Sequence, residues 1–364
     1  MRRPAAAPRT RWSAIIRWSL IGTLVVTSWV LLDVNRSGAI AANLIQPGES
    51  GPSVALIHQD FPGLQLPAGI GLDGQQFYAI ATNPLHPAAV APYLDRPRYR
   101  LQRPLLPLLA AAIHPTGGGD GLIWALVAVN VIAIFAGGIA TGALSTSLGG
   151  PVWAAVLFPL VPGSWWSLRS TGADALALAV AVAALAFSVQ HRDRLAGVAG
   201  GVSVLAKESI LLVLIGWAIG QRDRRKALLP AVVGAVVAAT WWVWLRILFS
   251  GSEPNNEIGP PLVGLWDSLH IWFDGREHVG AAATIAALVV GVLALVRRGL
   301  RHPLGWSILL SLGFMMLLTE DVIGLNYGAS RTMMGLLLLA LLALLTPNAA
   351  ALASPVVEVV DAAV

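Results

Sequence analysis

The chain of 364 residues contains no cysteine, which excludes disulfide bonds, a thiolate nucleophile and cysteine-ligated metals. Charged residues are also scarce, at 12% of the sequence, whereas 56% of the residues are hydrophobic. A soluble domain of this size does not need the apolar surface that a mean hydropathy of +0.71 represents. The composition therefore predicts a membrane protein.

Several apolar runs have the roughly 20 residues that a helix needs to cross about 30 Å of hydrocarbon. These runs are continuously apolar, whereas the strands of a membrane barrel alternate between apolar and polar residues. We predict an all-α polytopic membrane protein with about 8–10 transmembrane helices and additional interfacial or re-entrant helices. One transmembrane domain is expected over residues 1–346, followed by a short cytoplasmic tail at 347–364.

The apolar runs predict spans at 13–33, 121–145, 151–168, 172–190, 227–249, 279–297, 304–320 and 331–346. A cleaved signal peptide, with a site at Ala39 and Ala41, is the alternative for the first run, but that run is longer than a usual signal sequence. Residues 103–115 are rich in proline and too short to cross, so we expect an interfacial or re-entrant helix there.

The apolar segment 195–220 has basic residues on both sides, which places both of its ends in the cytoplasm. It is too short to cross the membrane twice at full length. We therefore predict two short helices, with Lys207 and Glu208 at the turn between them, deep in or beyond the membrane. A structural ion pair between these two residues is the alternative to a functional role.

The remaining basic residues predict the orientation through the positive-inside rule. The following residues fall on one side, which is taken as the cytoplasm: Arg2, Arg3, Arg9, Arg11, Arg17, Arg192, Arg194, Arg222, Arg224, Arg225, Lys226, Arg297, Arg298 and Arg301. Both termini are then cytoplasmic in the plasma (inner) membrane, and residues 34–120 and 250–278 are extracytoplasmic loops. The net charge of +5 reflects these cytoplasmic loops, and no nucleic-acid partner is expected.

The first extracytoplasmic loop contains the stretch GLDGQQFYAIATNP, which begins with Asp73 and Gly74. Asp73 and Gln76 have the spacing of a capping box at the start of a helix. Phe77 and Ile80 follow on one face, so the simplest interpretation is an amphipathic helix on the membrane surface.

A functional interpretation begins with four arginines in the same loop, Arg96, Arg98, Arg100 and Arg103. Guanidinium groups bind phosphate bidentately, and the phosphate of a lipid is the anion available at that depth.

Asp174, Glu208, Lys207 and Arg331 lie at or near span ends on the same predicted side. Ionisable groups are costly in lipid, so they usually face a cavity or one another. A helix N-cap is the alternative for Asp174.

The stretches LDGQQFYAIATNP, LDRPRYRLQRPLLPLL and LAKES resemble the GT-C superfamily of membrane glycosyltransferases, over about residues 10 to 250. The chain is also distantly similar to the GPI mannosyltransferase family. The resemblance implies a polyprenyl-phosphate-linked sugar as donor, a glycan or lipid acceptor and catalysis on the extracytoplasmic face. It implies that Asp73 acts as the catalytic base or binds the acceptor. The sequence has no Asp-x-Asp motif there, so no metal ligand is assigned, although a divalent metal is compatible with the family and Asp60 lies upstream.

The chemistry of inverting sugar transfer fits these residues. A base takes the proton of the acceptor hydroxyl, and cations stabilise the leaving phosphate. Asp73 is predicted as the base, the phosphate is assigned to Arg100, Arg103, Lys207 and Arg331, and Tyr78 is a candidate for stacking on the sugar. Two other functions remain open: a transporter or flippase for a lipid-linked or anionic substrate, and a non-catalytic assembly partner in cell-surface polymer synthesis.

Overall fold

The computed structural model describes residues 8–36, 38, 40–221, 223–251, 253, 257–273 and 277–347, without the side chains of residues 8, 9, 224 and 225. The tail from residue 348 onward, the cleavage-site residue Ala39 and the basic residues Arg2, Arg3 and Arg222 lie outside the described part of the chain.

The described part of the first half of the chain contains ten α-helices in a long polar loop and four crossings of the fold. They are α1 (Pro8–Arg36), α2 (Val54–Asp60), α3 (Asp73–Thr82), α4 (Pro87–Val90), α5 (Pro97–Arg100), α6 (Leu105–Ile113), α7 (Gly119–Ser147), α8 (Leu157–Leu160), α9 (Pro162–Arg169) and α10 (Asp174–Val189). Short 3-10 turns cover Ala41–Leu44, Ala91–Tyr93 and Val152–Val156.

The second half is also helical among the described residues, apart from one isolated β-bridge between Ile258 and Leu318. Its helices are α11 (Asp193–Ala206), α12 (Ile210–Gly220), α13 (Arg224–Leu248), α14 (Val263–Phe273), α15 (His278–Arg298), α16 (Gly305–Met315), α17 (Glu320–Ile323) and α18 (Asn326–Leu345).

Among the described residues, five helices are long and apolar enough to cross a membrane, namely Thr10–Arg36, Gly119–Ser147, Lys226–Leu248, His278–Arg298 and Asn326–Leu345. Shorter apolar helices occupy Asp174–Val189, Ile210–Gly220 and Gly305–Met315. The described residues therefore form an α-helical protein with membrane character, as the composition predicts.

The chain runs back and forth between two ends of one helical bundle. At one end Gly150 lies against Thr346, and Gly220 lies against Pro303. At the other end Arg169 binds Asp33. Following these contacts, the described chain passes between the two ends in α1, α7, the segment 151–169, α10, α11, α12, α13, α15, α16 and α18. We call the end that carries residues 38–118 the loop end.

Small residues allow these passes to approach closely. A Cβ atom on Gly138 of α7 would lie 2.3 Å from Ser19 Oγ of α1, and one on Gly200 of α11 would lie 2.4 Å from the backbone oxygen of Pro230 in α13. Glycine at such positions brings helix backbones together where lipid offers no hydrophobic driving force for association.

The predicted span at 151–168 is not one continuous helix. The segment passes from one end of the bundle to the other as the 3-10 turn Val152–Val156 followed by α8 and α9. α8 ends at Leu160 and α9 begins at Pro162, with Val161 between them in an extended conformation. Proline lacks the N–H that a continuing helix needs, and it disfavours the helical conformation in the residue before it.

The two short helices predicted between 195 and 220 are confirmed as α11 and α12. α12 has 11 residues and α18 has 20. At 1.5 Å per residue their lengths are about 16 Å and about 30 Å, and both run to the same end of the bundle. The turn at Lys207 and Glu208 therefore lies inside the bundle, below the start of α18 at the loop end.

The first loop folds into the bundle instead of lying on its surface. Every residue of α3 from Gly74 to Ala81 is buried. The prediction of a surface-bound amphipathic helix at α3 is therefore wrong, because its second face packs beneath the rest of the loop. α6 does expose Leu109 and Ile113, in keeping with the interfacial helix predicted at 103–115.

The orientation of the bundle can be tested by cysteine labelling, because the chain has no cysteine background. Ser50 and Ala89 are exposed at the loop end, and Arg194 is exposed at the opposite end. We expect an impermeant thiol reagent to label Ser50→Cys and Ala89→Cys in whole cells, and Arg194→Cys only after lysis. Labelling of Arg194→Cys alone in whole cells would reverse the orientation and place the loop in the cytoplasm.

Candidate functional site

A cavity of about 420 Å³ opens at the loop end between the first loop and the C-terminal helices. Its volume lies within the range of small-molecule sites, about 300–1,000 Å³. Its charged and aromatic lining consists of Asp73, Asp95, Arg96, Tyr99, Arg100, Arg103, Lys207, Glu208, Glu257, Phe314, Asp321, Tyr327 and Arg331. The cavity therefore brings together most of the residues that the sequence singled out.

Asp73 sits at the centre of this cavity and holds two guanidinium groups. Its Oδ1 accepts a hydrogen bond from Arg100 Nη1 at 2.7 Å, and its Oδ2 accepts one from Arg331 Nη2 at 2.7 Å. The cap position of α3 is Leu72, and no side chain caps the helix. The predicted capping box is therefore wrong, because the Asp73 carboxylate points to arginines from α5 and α18.

The electrostatics of Asp73 follow from these partners. Burial alone would raise the pKa of its carboxyl group, but the charges of Arg100, Arg331 and Arg103 hold the pKa well below its usual value. A carboxylate in this state is fully ionised and is a weak proton acceptor. In this arrangement Asp73 positions the arginines and is poorly suited to act as a base.

The close packing around Gly74 explains why a glycine follows Asp73 in the sequence. A Cβ atom at this position would lie 2.3 Å from the backbone oxygen of Ser170 and 2.8 Å from that of Ile45. Only glycine lets the first turn of α3 approach both backbone segments. Close packing here fixes the position from which Asp73 reaches the cavity.

Two arginines of the first loop, Arg100 and Arg103, are held by carboxylates in fork geometry. Arg100 binds Asp95 through Nε at 2.9 Å and Nη2 at 2.8 Å. Arg103 binds Glu208 through Nε at 2.9 Å and Nη2 at 2.6 Å. Two parallel hydrogen bonds fix the plane of a guanidinium group as well as its position.

Tyr99 forms the centre of the arginine cluster. The guanidinium carbons of Arg96 and Arg103 lie 4.3 and 4.6 Å from its ring centroid, within the range of cation–π attraction. Its hydroxyl donates to Glu257, which also accepts from Arg96 Nη2 at 2.7 Å. Burial raises the pKa of Tyr99, so the hydroxyl keeps its proton and remains a donor.

Lys207, Asp174 and Arg331 form a second group at the floor of the cavity. Lys207 donates to Asp174 Oδ1, and Arg331 Nε lies 3.3 Å from Asp174 Oδ2. The predicted alternative of a helix cap is not observed, because no side chain caps α10. The alternative of an ion pair between Lys207 and Glu208 is not observed either, because Lys207 pairs with Asp174 and Glu208 pairs with Arg103. Nε and Nη1 of Arg331 are buried and donate no hydrogen bond to the described residues.

The cavity wall is close to electrical neutrality. Five basic side chains, Arg96, Arg100, Arg103, Lys207 and Arg331, face five acidic ones, Asp73, Asp95, Glu208, Glu257 and Asp321. Buried ion pairs contribute little net stability because desolvation offsets the attraction between the charges. A dense group of this kind within an apolar protein is therefore better explained by function than by stability.

Tyr78 lies apart from this group. It is fully buried, its hydroxyl donates to Asp60 Oδ2 at 2.5 Å, and it accepts from the Gly119 N–H at 2.6 Å. It does not line the cavity. This placement does not fit the predicted role of Tyr78 in stacking on a sugar. Its hydroxyl instead connects α3 to Asp60 of α2 and to the start of α7 at Gly119.

The cavity also contains residues that the sequence analysis did not select. Asp95 directly precedes the noted arginines and Tyr99 stands between two of them, so the motif LDRPRYRLQRP already contained both. Glu257, Asp321 and Tyr327 come from distant segments with no local motif. They reach the cavity only because α14 to α18 close over the first loop.

Among the described residues, no group of three or more His, Cys, Asp or Glu side chains is arranged to hold a metal ion. The comparisons found no protein-family model, no curated protein and no solved structure that matches the chain. The functional argument therefore depends on the geometry of the site.

Proposed function

We propose that the protein is a membrane glycosyltransferase that moves a sugar from a polyprenyl-phosphate donor to an envelope glycan or lipid acceptor on the extracytoplasmic face. The observation that carries the proposal is an apolar groove that runs into the charged cavity. The two spaces share Lys207, Ser209, Phe314, Arg331 and Thr332 as lining residues. A ligand that filled both would have an apolar chain at one end and a polar, charged group at the other.

The groove lies between the parts of α10, α12, α16 and α18 that face the loop end. Away from the cavity its lining is apolar, with Leu178, Ile210, Val213, Met315 and Leu336. The groove has a volume of about 60 Å³, so it has room for the first carbons of a hydrocarbon chain next to the phosphate. Burial of such a chain is favourable by about 0.8 kcal/mol per CH₂ group. The chain of a polyprenyl phosphate placed in the groove would bring its phosphate to Lys207 and Arg331.

The phosphate position is supported by the unsatisfied donors of Arg331. Its buried Nη1 donates no hydrogen bond to the described residues, and its Nε faces Asp174 Oδ2 at 3.3 Å without forming one, so an anion placed beside them would supply an acceptor. Lys207 is available only if the phosphate replaces Asp174 as its partner. We infer that donor binding exchanges one anion for another at a neutral site, which favours reversible binding of the lipid phosphate over tight retention.

The reaction follows from this arrangement. The oxygen of the acceptor hydroxyl bonds to the anomeric carbon of the sugar while its proton passes to a carboxylate in the cavity. The bond between the anomeric carbon and the phosphate oxygen breaks, and its electron pair leaves on the polyprenyl phosphate. Lys207 and Arg331 stabilise the charge that develops on that oxygen. Direct attack on the face opposite the phosphate inverts the anomeric configuration.

Lipid binding is tested by the unfolding of the purified protein with two probes. A polyprenyl phosphate at 100 times its Kd should stabilise the protein by about 2.7 kcal/mol, whereas the corresponding polyprenol should stabilise it much less. Gly335 lines the groove, and a Cβ there would lie 3.6 Å from Leu178 Cδ1 in ordinary contact. We therefore expect Gly335→Ala to keep the stabilisation and Gly335→Phe, which fills the groove, to lose it.

Unfolding of both Gly335 variants without lipid is the control for their intrinsic stability. Equal stabilisation of the wild type by polyprenol and polyprenyl phosphate would contradict the phosphate site. Full stabilisation of Gly335→Phe by the polyprenyl phosphate would contradict the groove.

A further inference from the structure

The carboxylates of the cavity differ in whether they already have a partner. Asp73, Asp95, Glu208 and Glu257 each accept hydrogen bonds from an arginine. The lone pairs of such carboxylates are engaged, and their positive partners favour the ionised form. None of these four is a good proton acceptor as it stands.

Asp321 is the exception among the described residues of the cavity wall. It belongs to α17, the four-residue helix between α16 and α18, and it has no ion pair and no side-chain hydrogen bond. Its side chain is exposed and lines the same cavity as Arg331 and Tyr327. Its carboxylate is therefore free to take a proton from a group bound there.

A simple structural explanation for Asp321 is a solvated acid near the start of a helix. Glu320 precedes it on α17 and has the same charge, but it does not line the cavity. If the two acids only stabilised the N-terminal turn of α17, replacing either one should have the same effect. Because only Asp321 lines the cavity, Glu320 is a matched control for it.

We propose that Asp321, and not Asp73, accepts the proton of the acceptor hydroxyl, an inference that rests on the proposed glycosyltransferase function. As the acceptor oxygen bonds to the anomeric carbon, its O–H bond breaks and the proton moves to Asp321. The bond from that carbon to the phosphate breaks, and the negative charge leaves on the lipid phosphate near Arg331. The protonated Asp321 then returns its proton to water through the open side of the cavity.

The test compares three variants in sugar transfer from a polyprenyl-phosphate sugar. Asp321→Asn should lower kcat by about 10²- to 10⁴-fold, the usual effect of losing a general base. Its stabilisation by polyprenyl phosphate and its unfolding midpoint should equal those of the wild type, because no partner is lost. Glu320→Gln should keep kcat within about twofold. Formate should restore part of the activity of Asp321→Ala, because it supplies a carboxylate to the vacated space.

Activity of Asp321→Asn equal to that of Glu320→Gln would overturn the proposal. So would a loss of activity in Asp321→Ala that formate does not restore, because Asp321 would then position other groups. The proposed function fails separately, if the wild type transfers no sugar from the donor at all.

Discussion

Replacing Asp73 with asparagine should lower the free energy of unfolding by about 3 kcal/mol and reduce sugar transfer by more than 100-fold. Removal of one partner from a buried ion pair typically costs about 3–5 kcal/mol. The lower end applies here because Arg100 keeps Asp95 and Arg331 keeps Asp174. Activity falls because Arg331, the proposed phosphate ligand, loses its hydrogen bond to Asp73 and is free to shift.

Asp60→Asn is the matched control for Asp73→Asn. Asp60 lies in the same loop and accepts a hydrogen bond from the neutral hydroxyl of Tyr78, outside the cavity. Loss of its charge should cost about 1 kcal/mol, as for an ordinary hydrogen bond, and leave transfer close to wild type. Should Asp73→Asn keep wild-type stability and lipid binding while losing only kcat, Asp73 would be the base and the role given to Asp321 would be wrong.

Asp174→Asn should tighten the binding of polyprenyl phosphate. In the wild type an incoming phosphate has to replace Asp174 as the partner of Lys207. A hydrogen bond to a charged group contributes about 1.5–3 kcal/mol, so its prior removal should tighten binding of polyprenyl phosphate by about 10- to 100-fold. Stability without lipid should fall, because Lys207 is left without its anionic partner.

Titration of the Asp174→Asn variant with polyprenyl phosphate measures this effect directly, and Asp193→Asn is the control. Asp193 begins α11 at the end of the bundle opposite the cavity, so its replacement should leave the affinity unchanged. Weaker binding by Asp174→Asn would show that Asp174 orients Lys207 for the phosphate, and the exchange of anions would then be wrong.

The sequence predicted the helical class and the division at Lys207 because both follow from local properties. A long apolar run has few other structures in lipid. Basic residues at both ends of 195–220 allow only an even number of passes, and the length limits each to a short helix. The same reasoning failed at 151–168, where hydropathy does not report the backbone break before Pro162.

The cavity was predictable only in part, because its ion partners are far apart in the sequence. Asp73, Arg100 and Arg103 could be selected because their chemistry is unusual for a segment predicted to be extracytoplasmic. Their pairing was not predictable, because ion partners such as Asp73 and Arg331 are 258 residues apart in sequence. The sequence therefore assigned Asp73 as a cap or a base, whereas the fold uses its charge to hold two arginines.

The presence or absence of an ion-pair partner distinguishes the residues that build the site from those that can react. Most ionisable groups of the cavity are committed to one another, as in the bidentate pair of Arg103 with Glu208. Such pairs fix geometry, which a transfer reaction needs if donor and acceptor are to meet in line. The groups without a hydrogen-bond partner among the described residues, Nη1 of Arg331 and the carboxylate of Asp321, are then the ones proposed to meet the ligands.

Sugar transfer by the purified protein in lipid nanodiscs tests the central claim most directly. The measurement follows a labelled sugar from a polyprenyl-phosphate donor to an acceptor fraction extracted from the cell envelope, together with release of polyprenyl phosphate. We predict that product and released lipid appear in equal amounts, that the product has inverted configuration and that Glu320→Gln matches the wild type. Binding of the donor without release of polyprenyl phosphate would contradict the account and would favour a transporter or a non-catalytic assembly partner.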